Sequence, residues 1–142
     1  MYLNDLSVGM EIDLSEVTVD RDRMMDFARL YDPLPLHLDD DYAKNTRFGG
    51  VIAPGVMTFM SVWAKFVETG LFGEQLVAGL STKIEWFGPV YPGDTLKGRI
   101  RISNIVRRNA HNGIAETTMM IQNQHGEDVI RNVTESIIQY KE

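Results

Sequence analysis

Hydrophobic and polar positions change period partway along the chain. In "VTVDRDRMMDFARLYD", Met24, Phe27, Ala28 and Tyr31 recur at i, i+3, i+4 and i+7, the stripe of an amphipathic helix, and Asp20 is its N-cap candidate. Pro33 disfavours helical geometry at Asp32, and Pro35 constrains Leu34 in the same way, so this helix is expected to end at Asp32. "HLDDDYAKNT" has room for one short helical turn. From Pro54 to Gly70, "PGVMTFMSVWAKFVETG" places Val56, Met57, Phe59, Met60, Val62, Trp63, Phe66 and Val67 on nearly every face of a second helix. Pro54 suits its start and Gly70 its C-terminal cap. A helix apolar almost all round is expected to be buried almost all round.

After Gly79 the period becomes two. Leu80, Thr82, Ile84 and Trp86 alternate with Ser81, Lys83, Glu85 and Phe87, which predicts a strand with two unlike faces. "GPVYPGD" breaks it. Leu96 to Val106 alternates again, with Ile100, Ile102 and Val106 expected on one side. Asn112-Gly113 predicts a tight primed turn, because Gly and Asn accept positive φ. Ile114 to Asn123 follows, then "QHGED" as a turn, then Val129 to Tyr140. Ile12 to Val19 is expected to add an edge strand. Helices early and antiparallel hairpins late define an α+β chain, with the sheet wrapped around the long helix.

Composition narrows the function. No internal repeat or linker-like shift interrupts residues 1–142, so one domain is expected. The chain has no cysteine, which rules out disulfides, thiolate metal sites and thiol nucleophiles. A net charge of −6 argues against nucleic acid or an anionic membrane surface as the main partner. The longest apolar stretch, around Val56 to Val67, is too short to span a bilayer. "MYLNDLSVGMEIDLS" has no basic region leading into an apolar run, so no export signal is read and a cytoplasmic location is expected.

The segment "FARLYDPLPLHLDDDYAKNTRFGGVIAPG" resembles the signature of the MaoC-like dehydratases, which include the (R)-specific enoyl-CoA hydratases. Asp32, Pro35, His37, Ala43, Phe48, Ile52, Ala53 and Gly55 stand at the matching positions. "FGPVYPGDTL" and "NGIAETTMMIQNQHGEDVI" resemble that family's later turn and last hairpin, so the likeness runs nearly the whole chain. Three positions depart from it: Tyr31 for a Gly, Leu34 for an Asn and Pro54 for a His. The resemblance implies a hot-dog fold, a curved antiparallel sheet wrapped around a central helix, paired as a homodimer or a dimer of dimers.

It also implies a reaction. Water would add reversibly across the trans-2 double bond of an enoyl thioester carried on CoA or an acyl carrier protein, with no cofactor or metal. Asp32 and His37 would be the acid–base pair. His37 is the side chain whose ordinary pKa lies nearest neutrality, and Asp32 could take or hold the second proton. Negative charge developing on the thioester oxygen needs a donor aimed at it beforehand. The first amides of the long helix have no intrahelical partners, and Pro54 has no N–H, so the Gly55 amide is the candidate. Because five extended residues reach roughly 17 Å, the stretch from Asp32 to His37 must fold back for the two side chains to share one water. A thioesterase, or a non-catalytic acyl-thioester-binding subunit, remains an alternative.

Other polar clusters carry less. "DDD" at 39–41 reads as a solvated helix N-terminus rather than a metal site. His111 and His125 sit in turn segments and are expected to be exposed. No third ligand accompanies His37 at metal-like spacing, and no G-x-S-x-G elbow occurs. An anionic CoA would need a basic patch, for which Lys65, Lys83, Arg99, Arg101, Arg107 and Arg108 are available.

Overall fold

The computed structural model describes all residues, 1–142. Strands β1 (Glu11–Asp13) and β2 (Val17–Thr18) precede helices α1 (Arg21–Tyr31), α2 (Pro35–Leu38), α3 (Asp40–Ala43) and α4 (Gly55–Glu68). Strands β3 (Leu76–Trp86), β4 (Thr95–Arg107), β5 (Asn112–Gln122) and β6 (Asp128–Gln139) complete the chain. All pairings are antiparallel, in the order β1-β4-β5-β6-β3, with β2 also on β4. The edge strand expected over Ile12 to Val19 is thus two short pieces. Between them Leu14 turns into the core at 2% exposure, its N–H held by the Gly98 carbonyl at 2.9 Å.

The helix boundaries follow from local chemistry. The Asp20 carboxylate accepts from the Arg23 amide at 2.9 Å, capping α1. At its other end Asp32 adopts φ −154°, ψ 67°, out of the helical region as Pro33 requires. Gly70, at φ +66°, follows the end of α4.

The sheet curls over α4. Phe59, Val62 and Phe66 of the helix meet an inner face built from Leu96, Ile100, Met119, Ile121 and Ile130, all buried. Each large apolar side chain so covered contributes roughly 1.5–3 kcal/mol. The helix and β4 come close at Gly98, where a Cβ would lie 2.6 Å from Val62 Cγ1. A side chain there would push the helix off the sheet.

Three expectations are corrected. First, α4 is not covered all round: Val56, Met60 and Val67 are 46, 53 and 61% exposed. Strand β3 is likewise exposed over most of its length, with Val77 and Leu80 also bare. The apolar excess read as core is, in the isolated chain, a surface. Second, Val106 is exposed rather than aligned with Ile100 and Ile102, because a bulge between Ile102 and Asn104 reverses the alternation and turns Ile105 inward. Third, Asn112-Gly113 does not form the hairpin turn. Both residues belong to β5, neither has positive φ, and the chain reverses at 108–111, where Asn109 Oδ1 accepts from the His111 and Asn112 amides. Gly113 is required instead by crowding, since a Cβ would lie 2.5 Å from Leu3 Cδ2 and still closer to the Val106 carbonyl oxygen.

Candidate functional site

The segment from Asp32 to His37 folds back on itself. The Leu34 amide donates to the Asp32 carbonyl at 2.8 Å, and the His37 amide to the Leu34 carbonyl at 3.0 Å. Leu34 is extended (φ −77°, ψ 141°), as the residue before a proline should be, and Pro35 opens α2 at a position needing no N–H. This brings His37 Nε2 to 3.1 Å from Asp32 Oδ2. The two side chains differ in setting, with His37 at 7% and Asp32 at 41% side-chain exposure.

A second connection orients the imidazole. His37 Nδ1 lies 2.7 Å from the Ile52 carbonyl oxygen, which can only accept, so Nδ1 carries the hydrogen. The Ile52 amide in turn donates to the Leu36 carbonyl at 3.2 Å, and the Ala53 amide to the Val90 carbonyl at 2.7 Å. The 51–53 segment therefore grips α2 on one side and the turn after β3 on the other. With Nδ1 committed, a hydrogen bond between Nε2 and Oδ2 exists only while the pair holds one proton. Without it, two lone pairs face each other, a geometry that a donating water would satisfy.

Asp32, His37 and Gly55 line one open cleft of about 640 Å³. Gly55 is the first residue of α4, so its amide has no intrahelical acceptor. Thr58, buried at 1%, spends its hydroxyl on the Gly55 carbonyl at 2.7 Å and so secures this first turn. The Trp86 indole lies directly over Gly55: a Cβ there would be 2.9 Å from Trp86 Cζ2 and nearer still to Nε1 and Cε2. Phe87 and Val90 continue the apolar wall.

The three positions that depart from the family pattern differ in place. Tyr31 and Leu34 are 73 and 51% exposed and lie outside the cleft lining, whereas Pro54 is buried at the head of α4. None of Lys65, Lys83, Arg99, Arg101, Arg107 and Arg108 lines the cleft. Lys65, Lys83 and Arg99 pair with Glu68, Glu85 and Asp13, and Arg107 stacks on Tyr140 with its guanidinium 4.0 Å from the ring centroid. The cation that does line it is Arg47, inside the motif-bearing segment but not singled out by the sequence. Trp86 was equally hidden: the alternation placed it on a strand, and only the fold sets it against Gly55.

The acidic run divides into separate tasks. Asp39 caps α3 by accepting from the Tyr42 amide at 3.1 Å, Asp40 pairs with Arg21, and Asp41 pairs with Lys44. His111 and His125 are exposed, His111 beside Glu142. No three His, Asp or Glu side chains converge as a metal site, and no helix is long and apolar enough to cross a membrane.

Comparison with known proteins places the chain in a family. The family model described as a MaoC like domain matches residues 4–124. The chain belongs to that family. A solved MaoC-like dehydratase from Rhodospirillum rubrum superposes with a TM-score of 0.91 at 29% identity, covering 100% of this chain and 99% of that one. The (R)-hydratase PhaJ1 from Pseudomonas aeruginosa gives 0.80 at 25%, covering 99% and 86%. Among curated proteins, the uncharacterized protein YdeM of Bacillus subtilis is 28% identical over 125 residues, 87% of this chain and 89% of that protein. The α+β fold is accordingly the hot-dog fold expected from the sequence.

Proposed function

We propose that the protein is a hydratase or dehydratase that adds water reversibly to the trans-2 double bond of an enoyl thioester. Family membership and the likeness to an (R)-hydratase support the reaction class. The observation that carries it is the Asp32–His37 contact, 3.1 Å long, with Nδ1 already committed to Ile52. Water bound between Nε2 and Oδ2 attacks the β-carbon and gives its proton to one member of the pair. That proton passes within the pair and is delivered to the α-carbon, so the pair ends without it, as it began. In the reverse direction the same atoms remove the α-proton and protonate the leaving hydroxyl. A positioned acid–base group is worth ~10²–10⁴-fold.

Charge that builds on the thioester oxygen during attack is met by the Gly55 amide at the positive end of α4. The cleft needs no metal or cofactor in this scheme. The working unit proposed is a homodimer of single-domain chains. The exposure of Val56, Met60 and Val67 on α4 together with Val77 and Leu80 of β3 supports it, since so many large apolar side chains are unpartnered in one chain.

The test supplies trans-2-enoyl-CoA of short and medium chain length. Conjugated thioester absorbance and free thiol are followed together. Loss of absorbance without thiol is the expected result, abolished by Asp32→Asn and by His37→Ala while circular dichroism stays native. Thiol release would instead establish a thioesterase, and binding without either signal a non-catalytic thioester-binding subunit. Full activity in either variant would remove the pair from the mechanism.

A further inference from the structure

We infer that Arg47 is the anchor for the phosphate at the end of the substrate's pantetheine arm, which CoA carries within its diphosphate and a carrier protein carries as the phosphodiester to its serine. The inference rests on the reading of this cleft as a thioester site. Arg47 is the one cation among the residues lining the cleft and has no carboxylate within ion-pair distance, although Asp32 lines the same space. Its guanidinium sits 4.8 Å from the Phe48 ring centroid. Stacked on a ring face, a guanidinium keeps its N–H edge free, and that edge matches two phosphate oxygens.

The turn beneath it is pinned. The Thr46 hydroxyl donates to the Ala43 carbonyl at 2.7 Å, the Gly49 amide to the Thr46 carbonyl at 3.1 Å, and the Tyr91 hydroxyl to the Phe48 carbonyl at 2.7 Å. A cation held this way loses little freedom when it binds an anion. Its depth decides which part of the substrate it meets. His37 is buried at 5% exposure, so the reacting carbons lie deep, whereas Arg47 is exposed and stands where the carrier arm leaves for solvent. On a chain of net charge −6, an anionic carrier is repelled at long range, so a local cation at the cleft is the compensating contact.

The test uses one enoyl group on three carriers: CoA, a phosphopantetheinylated carrier protein, and N-acetylcysteamine, which has the thioester but no phosphate. Arg47→Ala is expected to raise KM for CoA about 10–100-fold, the range for one charge-assisted contact, with kcat little changed. Activity on the N-acetylcysteamine thioester should stay within about two-fold, and Arg47→Lys should recover part of the loss. A KM rise on both phosphate-bearing carriers assigns the shared pantetheine phosphate, as inferred. A rise on CoA alone overturns that assignment in favour of the nucleotide phosphates, and equal losses on all three, or none, overturn any phosphate role. If the wild type turns over no thioester, the function proposed above fails, and calorimetric titration with free CoA decides the anchor separately. Weaker binding by Arg47→Ala supports it, and equal affinity overturns it.

Discussion

Gly55→Ala tests the helix start and the cleft together. A methyl at this position falls 2.9 Å from Trp86 Cζ2 and closer to Nε1 and Cε2, so the indole must move. Overpacking typically costs ~1–3 kcal/mol, and replacing Gly by Ala in a helix returns up to about 1 kcal/mol. Trp86 is 50% exposed and can swing outward, which puts the net cost at the low end, about 0–2 kcal/mol. The effect on turnover should be larger. The methyl stands beside the amide that would receive the thioester oxygen; Ala keeps that N–H, so the loss comes from blocking the oxygen's approach, up to the ~2.7–4 kcal/mol, roughly 10²–10³ in kcat, that a lost donor costs. Urea unfolding, followed with the enoyl-CoA assay, separates the two. Tryptophan emission should also shift, since Trp86 changes environment while Trp63 does not. The double variant Gly55→Ala with Trp86→Ala relieves the clash; stability should return and activity should not. A folded Gly55→Ala protein with turnover within about three-fold of wild type would refute the oxyanion assignment.

Further expectations concern the scaffold. Gly113→Ala drives a Cβ into backbone, 3.0 Å from Arg107 Cα and closer to the Val106 carbonyl, which cannot swing away, so a loss of at least ~2 kcal/mol is expected in urea denaturation. An unchanged midpoint would contradict the close β4–β5 packing. The Arg131 guanidinium, which donates to Glu85 at 2.9 and 3.1 Å, holds the Glu85 carboxyl below its usual range, and Arg99 does the same for Asp13. A carboxyl lowered in the folded state contributes stability that is present above its ordinary value of 4.5 and lost as pH falls below it. The stability gap between wild type and Arg131→Met should therefore be constant near neutrality and shrink as pH falls below about 4.5; a gap that does not shrink through acid titration would show that packing, not charge, sets it. Finally, Met60→Glu with Leu80→Lys should convert the proposed dimer to monomer in light scattering, and a monomeric wild type would remove the dimer from the scheme.

Much of the site was legible because its constraints are local. Proline before and after Leu34 restricts the backbone whatever surrounds it, so the end of α1 at Asp32 could be anticipated from residue types alone, while the fold-back toward His37 was a condition set by the chemistry that the prolines make easy to meet. The same holds for the Asp20 cap and for the Gly55 amide, which is free because it is first in its helix. The period-two segments likewise gave four long strands in the right order. Sequence could not say what the imidazole's other nitrogen would touch, because Ile52 is fifteen residues away and meets it only through the turn that also binds Leu36.

The remaining differences share one cause. Hydrophobic pattern records which faces avoid water, not which neighbour covers them. Val56, Met60 and Val67 carry the same signal as Phe59, Val62 and Phe66, yet only the second set meets this chain's own sheet. Val106 loses its inward place to a bulge, a shift of one residue that alternation cannot register. Asn112-Gly113 is a turn signal overridden by register, with Gly113 retained for want of space. The chain by itself determined the α+β class and the family and pointed to Asp32, His37 and Gly55 as the candidate site, since these rest on backbone restriction and motif order. Tertiary structure decided the tautomer of His37, the indole over Gly55 and the lone cation at Arg47, because each depends on segments that meet only when the sheet closes over the helix.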